Sequence, residues 1–162
     1  MSDSGAYLDA TSTYRYRLWR TIPGCSVPPR RIAWIMLNPS TADASIDDPT
    51  IRRCLGYSLW WDFPHMTVVN LFALRSTDPK VLSKHADPVG PENNGHLVAV
   101  ARCADLVLCS WGNHGALLDR AAHVRALLRA ENIPLHCLRV SKTGQPVHPL
   151  YQAKTLKPVP FT

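Results

Sequence analysis

The stretch RIAWIMLNPSTAD, residues 31–43, constrains the fold of this chain more than any other part of its sequence. Its uninterrupted apolar run, IAWIML, is typical of a strand that is buried on both faces of a sheet. The strand has to end at Asn38, because Pro39 has no N–H for a sheet hydrogen bond and Ser40 favours a turn. In an open α/β sheet, ligands bind in the crevice outside the carboxyl ends of the central strands. Asn38 is therefore a candidate site residue, with a turn-capping role as the alternative.

The length and charge of the chain indicate one domain with an anionic partner. Residues 1–162 fit a single domain, of which residues 1–13, polar and small, predict a loose N-terminal arm. Eighteen Lys and Arg against twelve Asp and Glu give a formal charge of +6, which favours nucleic acid as a partner. No apolar stretch approaches the length of a membrane span, and the N-terminus lacks the basic and apolar regions of a secretory signal. We expect a cytoplasmic monomer with no membrane partner.

The cysteines show no metal-binding or disulfide pattern. They are Cys25, Cys54, Cys103, Cys109 and Cys137, and no two of them form a C-x-x-C pair. A zinc ribbon and a disulfide framework are therefore not indicated, and a cluster built from distant cysteines is disfavoured. Cys109 and Cys137 lie inside apolar runs, which predicts small buried side chains. We expect neither a metal nor another cofactor.

Strand-like and helix-like segments alternate along the chain. Residues 14–20, YRYRLWR, alternate aromatic or apolar with basic side chains, which favours an edge strand with one solvated face. Phosphate contacts by Arg15 and Arg17 are the alternative. The segment TIPGCSVPPRR then predicts a loop, as does the segment 75–94. Further strands are predicted at 66–75, 105–112 and 135–140, and helices at 49–63, 92–103 and 114–132.

This alternation predicts an α/β fold, a three-layer sandwich in which helices cover a central, four-stranded, mostly parallel sheet. The carboxyl ends of parallel strands meet at one rim, which brings together Asn38, Asn70, Ser110-Trp111-Gly112 and, through the last loop, His148. Asn70 interrupts an otherwise apolar strand. Because a buried amide needs partners for both its carbonyl and its NH2 group, Asn70 is either a satisfied core amide or the reader of a ligand.

Three carboxylates before the first helix form a second candidate site. Asp43, Asp47 and Asp48 could bind a metal or act as general bases. Asp48 also precedes Pro49, the expected first residue of the helix, where an aspartate commonly caps the helix. A helix-start role is therefore the favoured interpretation, with catalysis as the alternative.

Three short motifs resemble those of the uracil-DNA glycosylase superfamily, over roughly residues 31–155. Met36-Leu37-Asn38-Pro39 resembles its G-x-N-P motif, with Met36 in place of glycine, and VVNLFALR places Asn70 as in its second strand. His148-Pro149-Leu150 resembles its last motif. The sequences LNPSTAD, DDPT and HPLY also resemble a bacterial family of unknown function.

The superfamily resemblance implies a uracil-DNA glycosylase-like fold and a monofunctional DNA glycosylase, which hydrolyses the N-glycosidic bond of a flipped uracil or other modified base. It implies that Asn38 holds the attacking water, that Asn70 reads the base, and that His148 stabilises negative charge on the departing base. The further substrate contacts are Pro39 and Ser40 and the aromatic residues available for stacking, Phe72, Trp111 and Tyr151. The cysteine pattern of the iron–sulfur branches is absent, so no cluster is expected.

Two other functions stay open on the sequence. One is a non-catalytic nucleic-acid-binding module on the same fold, and the less favoured one is a metal-dependent phosphoesterase that uses Asp43, Asp47 and Asp48. Two frequent enzyme classes lack their signatures. No glycine-rich fingerprint follows the first central strand, which disfavours dinucleotide binding, and no Ser or Cys sits in a G-x-S-x-G elbow.

Overall fold

The computed structural model describes residues 4–23 and 30–162. Its helices and strands are, in chain order, β1 (Ser4–Leu8), β2 (Arg15–Thr21), β3 (Arg31–Met36), α1 (Pro49–Trp60), β4 (His65–Asn70), α2 (Asn93–Cys103), β5 (Leu106–Cys109), α3 (Arg120–Ala130), β6 (His136–Cys137) and β7 (Val159–Pro160). Short 3₁₀ helices at Pro79–Ser83 and Asn113–Asp119 lie between β4 and α2 and directly before α3.

The seven strands of the described residues form one mixed sheet, in the order β1-β2-β4-β3-β5-β6-β7. β3 pairs in parallel with β4 and β5, and β5 pairs in parallel with β6. The pairings of β1 with β2, β2 with β4 and β6 with β7 are antiparallel. The α/β class is therefore confirmed. The predicted four-stranded, mostly parallel sheet is wrong, because β1, β2 and β7 extend it with antiparallel pairings.

β3 lies inside the sheet, and its side chains alternate between two cores. Ala33 and Ile35 belong to the core that also contains residues of α2 and α3. Trp34 and Met36 belong to the opposite core, which contains residues of α1. Because helices cover both faces, no side chain in the body of this strand has to face water, and this explains the continuous apolar run.

The N-terminal part of the chain differs from the prediction. Ser4–Leu8 form β1, so the expected loose arm over residues 1–13 is wrong there, while residues 1–3 lie outside the described residues. Because β1 pairs with β2, β2 is an inner strand and not the expected edge strand. Its register shifts after Arg15, so Tyr16 is the extra residue of a bulge.

The other predicted elements exist, mostly with shorter bounds. β4 ends at Asn70 and not at residue 75, and β6 has only two residues. α3 begins at Arg120 and not at residue 114, because Leu118 and Asp119 adopt positive φ angles of 54° and 53°. β7 has no counterpart in the prediction. Residues 24–29 of the expected loop TIPGCSVPPRR lie outside the described residues.

α1 begins where the sequence predicts. Oδ1 of Asp48 accepts a hydrogen bond from the backbone N–H of Ile51 at 2.8 Å, and Pro49 occupies the first turn, where its missing N–H costs nothing. Inside the helix, Ser58 accepts a hydrogen bond from Nε1 of Trp34 at 3.0 Å, which joins α1 to β3. No helix among the described residues is long and apolar enough to span a membrane.

The cysteines within the described residues are free thiols. Cys109 and Cys137 are buried, as their apolar surroundings predict, and Cys54 is buried as well. Cys103 is exposed, and Cys25 lies outside the described residues.

Candidate functional site

The carboxyl ends of β4, β3 and β5 form a rim that carries the candidate residues. Met36, the last residue of β3, is in register with Asn70, the last residue of β4. Asn38 follows Met36 by two residues. Ser110 follows β5, and its backbone N–H donates to the carbonyl of Ile35 on β3 at 2.9 Å. Parallel pairing thus brings three strand ends, distant along the chain, to one edge of the sheet.

Asn38 braces the segment that follows β4. Its Nδ2 group donates to the carbonyls of Pro39, Leu74 and Ser76 at 3.2, 3.3 and 2.9 Å. The backbone N–H of Ser76 donates in turn to the Pro39 carbonyl at 2.9 Å. Within the described part of the chain, all hydrogen bonds of this side chain use the amide nitrogen. These bonds agree with the turn-capping role that is the alternative for Asn38, and they leave its Oδ1 atom able to accept a hydrogen bond from another partner.

Asn70 has a buried carboxamide that forms no hydrogen bond with another described residue. Its exposed fraction is 1%, and neither Oδ1 nor Nδ2 has a hydrogen-bond partner among the described residues. An unsatisfied buried donor or acceptor costs roughly 1–3 kcal/mol, so packing alone does not account for an amide at this position. A ligand that presents a donor beside an acceptor would satisfy both ends of the amide at once.

Asn93, the first residue of α2, is a site residue that the sequence prediction missed. It is fully buried, and its Nδ2 group donates to the carbonyls of Asn70 and Leu71 at 2.9 and 3.0 Å. Arg120, the first residue of α3, donates from Nε to the same Leu71 carbonyl at 2.7 Å. Two helix starts therefore fix the backbone at the end of β4. Oδ1 of Asn93 has no partner in the described residues. The only sequence signal is an Asn-Asn pair, which also suits a turn.

His148 is anchored to the end of β5 through its neighbour. Oγ of Ser110 donates to the carbonyl of Val147 at 2.7 Å. Nδ1 of His148 accepts a hydrogen bond from the backbone N–H of Leu150 at 3.2 Å, so the neutral ring carries its proton on Nε2 and offers it as a donor. Burial lowers the pKa of His148, against a smaller opposing effect of Asp48, and this favours the neutral form at pH 7.

A buried guanidinium lies beside the loop that joins β3 to α1. Arg15 is 2% exposed, and its Nη1 atom donates to the carbonyl of Ala42 in this loop at 2.7 Å. The favoured prediction of a solvated face is wrong for Arg15, because it comes directly before the bulge at Tyr16 and lies under the loop. Arg17 is half-buried and donates from Nε to Nδ1 of His96 at 2.6 Å.

The three carboxylates of that loop hold the loop itself and the start of α1. Asp43 accepts hydrogen bonds from two backbone N–H groups of its own loop at 2.9 and 2.8 Å, and these bonds lower its pKa. Asp47 pairs with Arg20 at 2.9 Å, and Asp48 caps α1. In residues 4–23 and 30–162, no group of three His, Cys, Asp or Glu side chains could hold a metal ion.

A family model described as "protein of unknown function", DUF1643, matches residues 15–150, which is most of the chain. This chain belongs to the DUF1643 family. Comparisons with curated proteins and with solved structures gave no match. The predicted relation to a family of unknown function is therefore confirmed in these terms. No comparison links the DUF1643 chain to the uracil-DNA glycosylase superfamily, and that relation stays a prediction.

The aromatic residues predicted to stack on a base lie in different surroundings in the DUF1643 chain. Phe72 and Trp111 are 0% and 1% exposed and belong to the core beside α2 and α3. Tyr151 is 98% exposed and follows the matched segment directly. Of the three, Tyr151 alone offers an exposed ring. Pro39 is buried and Ser40 half-buried beside Asn38.

Two cavities of the DUF1643 chain lie away from this rim. One, of about 680 Å³, is lined by the first residues of β3 and β4 and the last turn of α2. The other, of about 400 Å³, lies beside β6 and β7. Neither is lined by Asn38, Asn70 or His148. Because Asn70 is 1% exposed, recognition of a base by its side chain would require the rim to open.

Proposed function

We propose that this chain hydrolyses N-glycosidic bonds and removes uracil or another modified base from DNA. The observation that carries the proposal is the Asn70 carboxamide, which is buried at the rim with both polar atoms unpartnered among the described residues. The Watson–Crick edge of a flipped base presents a donor beside an acceptor, which is the complement of a carboxamide. The proposal includes a three-layer sandwich of the uracil-DNA glycosylase type, with the base held at this rim.

His148 supplies the donor for the departing base. As the N-glycosidic bond breaks, the sugar gains oxocarbenium character and negative charge develops on the base. The hydrogen bond that Nδ1 accepts from Leu150 and the lowered pKa of His148 favour a neutral ring with its proton on Nε2. A positioned donor of this kind typically contributes about 3 kcal/mol to transition-state stabilisation.

Asn38 positions the attacking water. Its Nδ2 group is fixed by three backbone carbonyls, so Oδ1 has a defined direction and accepts a hydrogen bond from the water. A carboxamide is neutral and is no strong base. The rate therefore depends on departure of the base more than on activation of the water.

A non-catalytic nucleic-acid-binding module is the second candidate. The observation that favours it is the 1% exposure of Asn70, which closes this side chain to a base in the described structure. A metal-dependent phosphoesterase is disfavoured, because Asp43, Asp47 and Asp48 are each engaged in the loop or in the start of α1.

Formation of alkali-labile abasic sites separates excision from binding. The purified chain is incubated with single- and double-stranded oligonucleotides that carry uracil, hypoxanthine, xanthine or hydroxymethylated pyrimidines. We expect strand breaks after alkali at one of these bases. Asn70→Asp should change which base is removed, because the replacement exchanges an amide donor for a second acceptor.

Asn132→Asp is the matched control, because Asn132 is exposed. It should leave both the rate and the preferred base unchanged. Binding without strand breaks on every substrate would support the non-catalytic module, and loss of strand breaks on adding a chelator would support the phosphoesterase.

A further inference from the structure

Arg15 is buried and forms no ion pair with another described residue. Its side chain is 2% exposed, and within the described residues no carboxylate oxygen lies within 4.0 Å of its guanidinium nitrogens. Nη1 donates to the Ala42 carbonyl, and Nε has no hydrogen-bond partner in residues 4–23 and 30–162. Burial lowers the pKa of Arg15 to about 10, so the group stays protonated at neutral pH. A buried charge that lacks an ion pair is costly, and an anion would relieve that cost.

Arg20, on the same strand, shows the contacts of an arginine with a structural role. It is 7% exposed and pairs through Nε with Oδ1 of Asp47 at 2.9 Å. Its other nitrogens donate to four backbone carbonyls at 2.6 to 3.5 Å. The two arginines are similarly buried, but of the two, as far as the described residues show, only Arg15 has an unpartnered donor and forms no ion pair with a carboxylate. Burial in β2 therefore does not by itself explain Arg15.

Arg15 lies at the same rim as the candidate site. Its backbone N–H donates at 3.0 Å to the carbonyl of Ala73, in the segment directly after β4. Its guanidinium contacts Ala42, in the loop that follows β3. Asp48 acts on the pKa of both Arg15 and His148, so the two cationic or protonatable groups share one neighbour.

We infer that Arg15 binds a phosphate group of the substrate, so that the substrate is a phosphate-bearing nucleotide, free or within a strand, and not a nucleoside. The inference rests on the proposed function, because it assumes that Asn70 holds the base of the same molecule. A phosphate oxygen carries the charge that the Ala42 carbonyl lacks, and a planar guanidinium matches two phosphate oxygens at once. Phosphate binding would replace the Ala42 contact and give Nε a partner.

Isothermal titration calorimetry of the full chain tests this with three probes. They are 2′-deoxyuridine, 2′-deoxyuridine 5′-monophosphate and a uracil-containing oligonucleotide. In Arg15→Gln we expect the affinity for a phosphate-bearing probe to fall at least about 10-fold, because a charge-assisted hydrogen bond is lost, with unchanged affinity for 2′-deoxyuridine. Arg15→Lys should retain part of the affinity.

Arg129→Gln is the charge-matched control, because Arg129 is exposed on α3 and its loss lowers the net charge equally. It should change the affinity for 2′-deoxyuridine 5′-monophosphate less than about twofold, as is usual for a surface charge outside a site. Thermal unfolding without ligand separates a binding role from a structural one. Arg20→Gln should lower the Tm, because Asp47 loses its partner, whereas Arg15→Gln should leave the Tm unchanged or raise it.

The outcomes divide clearly. An Arg15-dependent affinity for the monophosphate supports a free nucleotide, and one confined to the oligonucleotide supports a strand. Unchanged affinity of Arg15→Gln for both phosphate probes, or an equal loss for 2′-deoxyuridine, overturns the inference, as does a Tm lowered as much as in Arg20→Gln without a change in binding. Arg15-dependent binding without abasic sites would overturn the proposed excision and leave the phosphate role standing.

Discussion

The rim at the ends of β3 and β4 and the acidic loop between β3 and α1 adjoin each other, and the sequence predicts a site in both. They differ in how their polar groups are satisfied. In the loop, Asp43, Asp47 and Asp48 each have a partner within the fold. At the rim, Asn70 and Arg15 have buried atoms with no partner among the described residues. Folding therefore accounts for the polar groups of the loop and leaves those of the rim to be explained.

The difference teaches how to weigh polar residues near a strand end. A paired carboxylate contributes to the fold whether or not it has another role. An unpaired buried amide costs stability, roughly 1–3 kcal/mol for each unsatisfied group, and a protein retains such a cost where a ligand offsets it. The comparison therefore favours the rim as the functional site, and the predictions below test both regions.

The largest expected effect is that of His148→Ala at the rim. We expect the rate of abasic-site formation to fall about 100-fold or more, because a donor to the departing base is lost. The measurement is a single-turnover excision assay on the preferred oligonucleotide. His123→Ala, which removes an exposed imidazole on α3, is the control. It should change neither the excision rate nor the folding of the chain. Equal rates for His148→Ala and the unaltered chain would remove His148 from the mechanism.

The second prediction concerns the cost of the unpartnered amide. Asn70→Leu removes both unsatisfied atoms and keeps a similar shape, so we expect the free energy of unfolding in urea to rise by about 1–3 kcal/mol, with loss of base binding. Asn93→Leu is the contrasting variant. It removes the donor to the carbonyls of Asn70 and Leu71 and should lower stability. A lower stability of Asn70→Leu would mean that this amide serves the fold.

The end of β3 was predictable from the sequence to within two residues, because an apolar run broken by Asn-Pro has few alternatives. The end of β4 was not, since Asn70 ends a strand that was expected to continue to residue 75. The Asp-Pro pair located the start of α1 at Pro49. β1 and β7 were not predictable in this way. β1 has mixed burial over five residues and β7 has two residues, so no period of two can be recognised. β6 was predicted at 135–140 and has only two residues.

The site was predictable only in part, because partners across the sheet are not visible in a sequence. The alternating pattern of β2 predicts that Arg15 is solvated, but Arg15 is buried. The reason is the single bulge at Tyr16, which changes which side chains face the core. Asn93 reads as a turn residue, and its role depends on the carbonyls at the end of β4. The burial of Phe72 and Trp111 likewise depends on helices that pack from later in the chain.

The third prediction tests the acidic loop. Asp48→Ala removes the N-cap of α1 and should lower the free energy of unfolding by about 1 kcal/mol. Excision should persist, because the loss of a nearby carboxylate shifts the pKa of His148 further down and keeps the ring neutral. Urea unfolding and the excision assay, each at pH 7, measure the two effects. If the excision rate falls more than about tenfold, the loss of the helix cap would not account for it, and this carboxylate would be a functional residue.

The smallest expected effect is a pH dependence that belongs to the rim. Burial lowers the pKa of His148 in the folded chain below its ordinary value of about 6.5, so the unfolded chain binds a proton first as the pH falls. The contribution of His148 to stability is therefore fully present above about pH 6.5 and declines as the pH falls from that value through the lowered pKa. Excision, which uses the neutral ring, declines in the same pH range.

Burial and Arg17 lower the pKa of His96 as well, so its contribution to the pH dependence has the same sign and must be separated from that of His148. The difference between the unaltered chain and His148→Gln isolates the contribution of the rim. His148→Gln should lose part of the decline in stability below about pH 6.5, whereas His96→Gln should leave the pH profile of excision unchanged. An excision rate that rises on acidification would show that the protonated ring is the active form. The assignment of neutral His148 as the donor to the departing base would then be wrong.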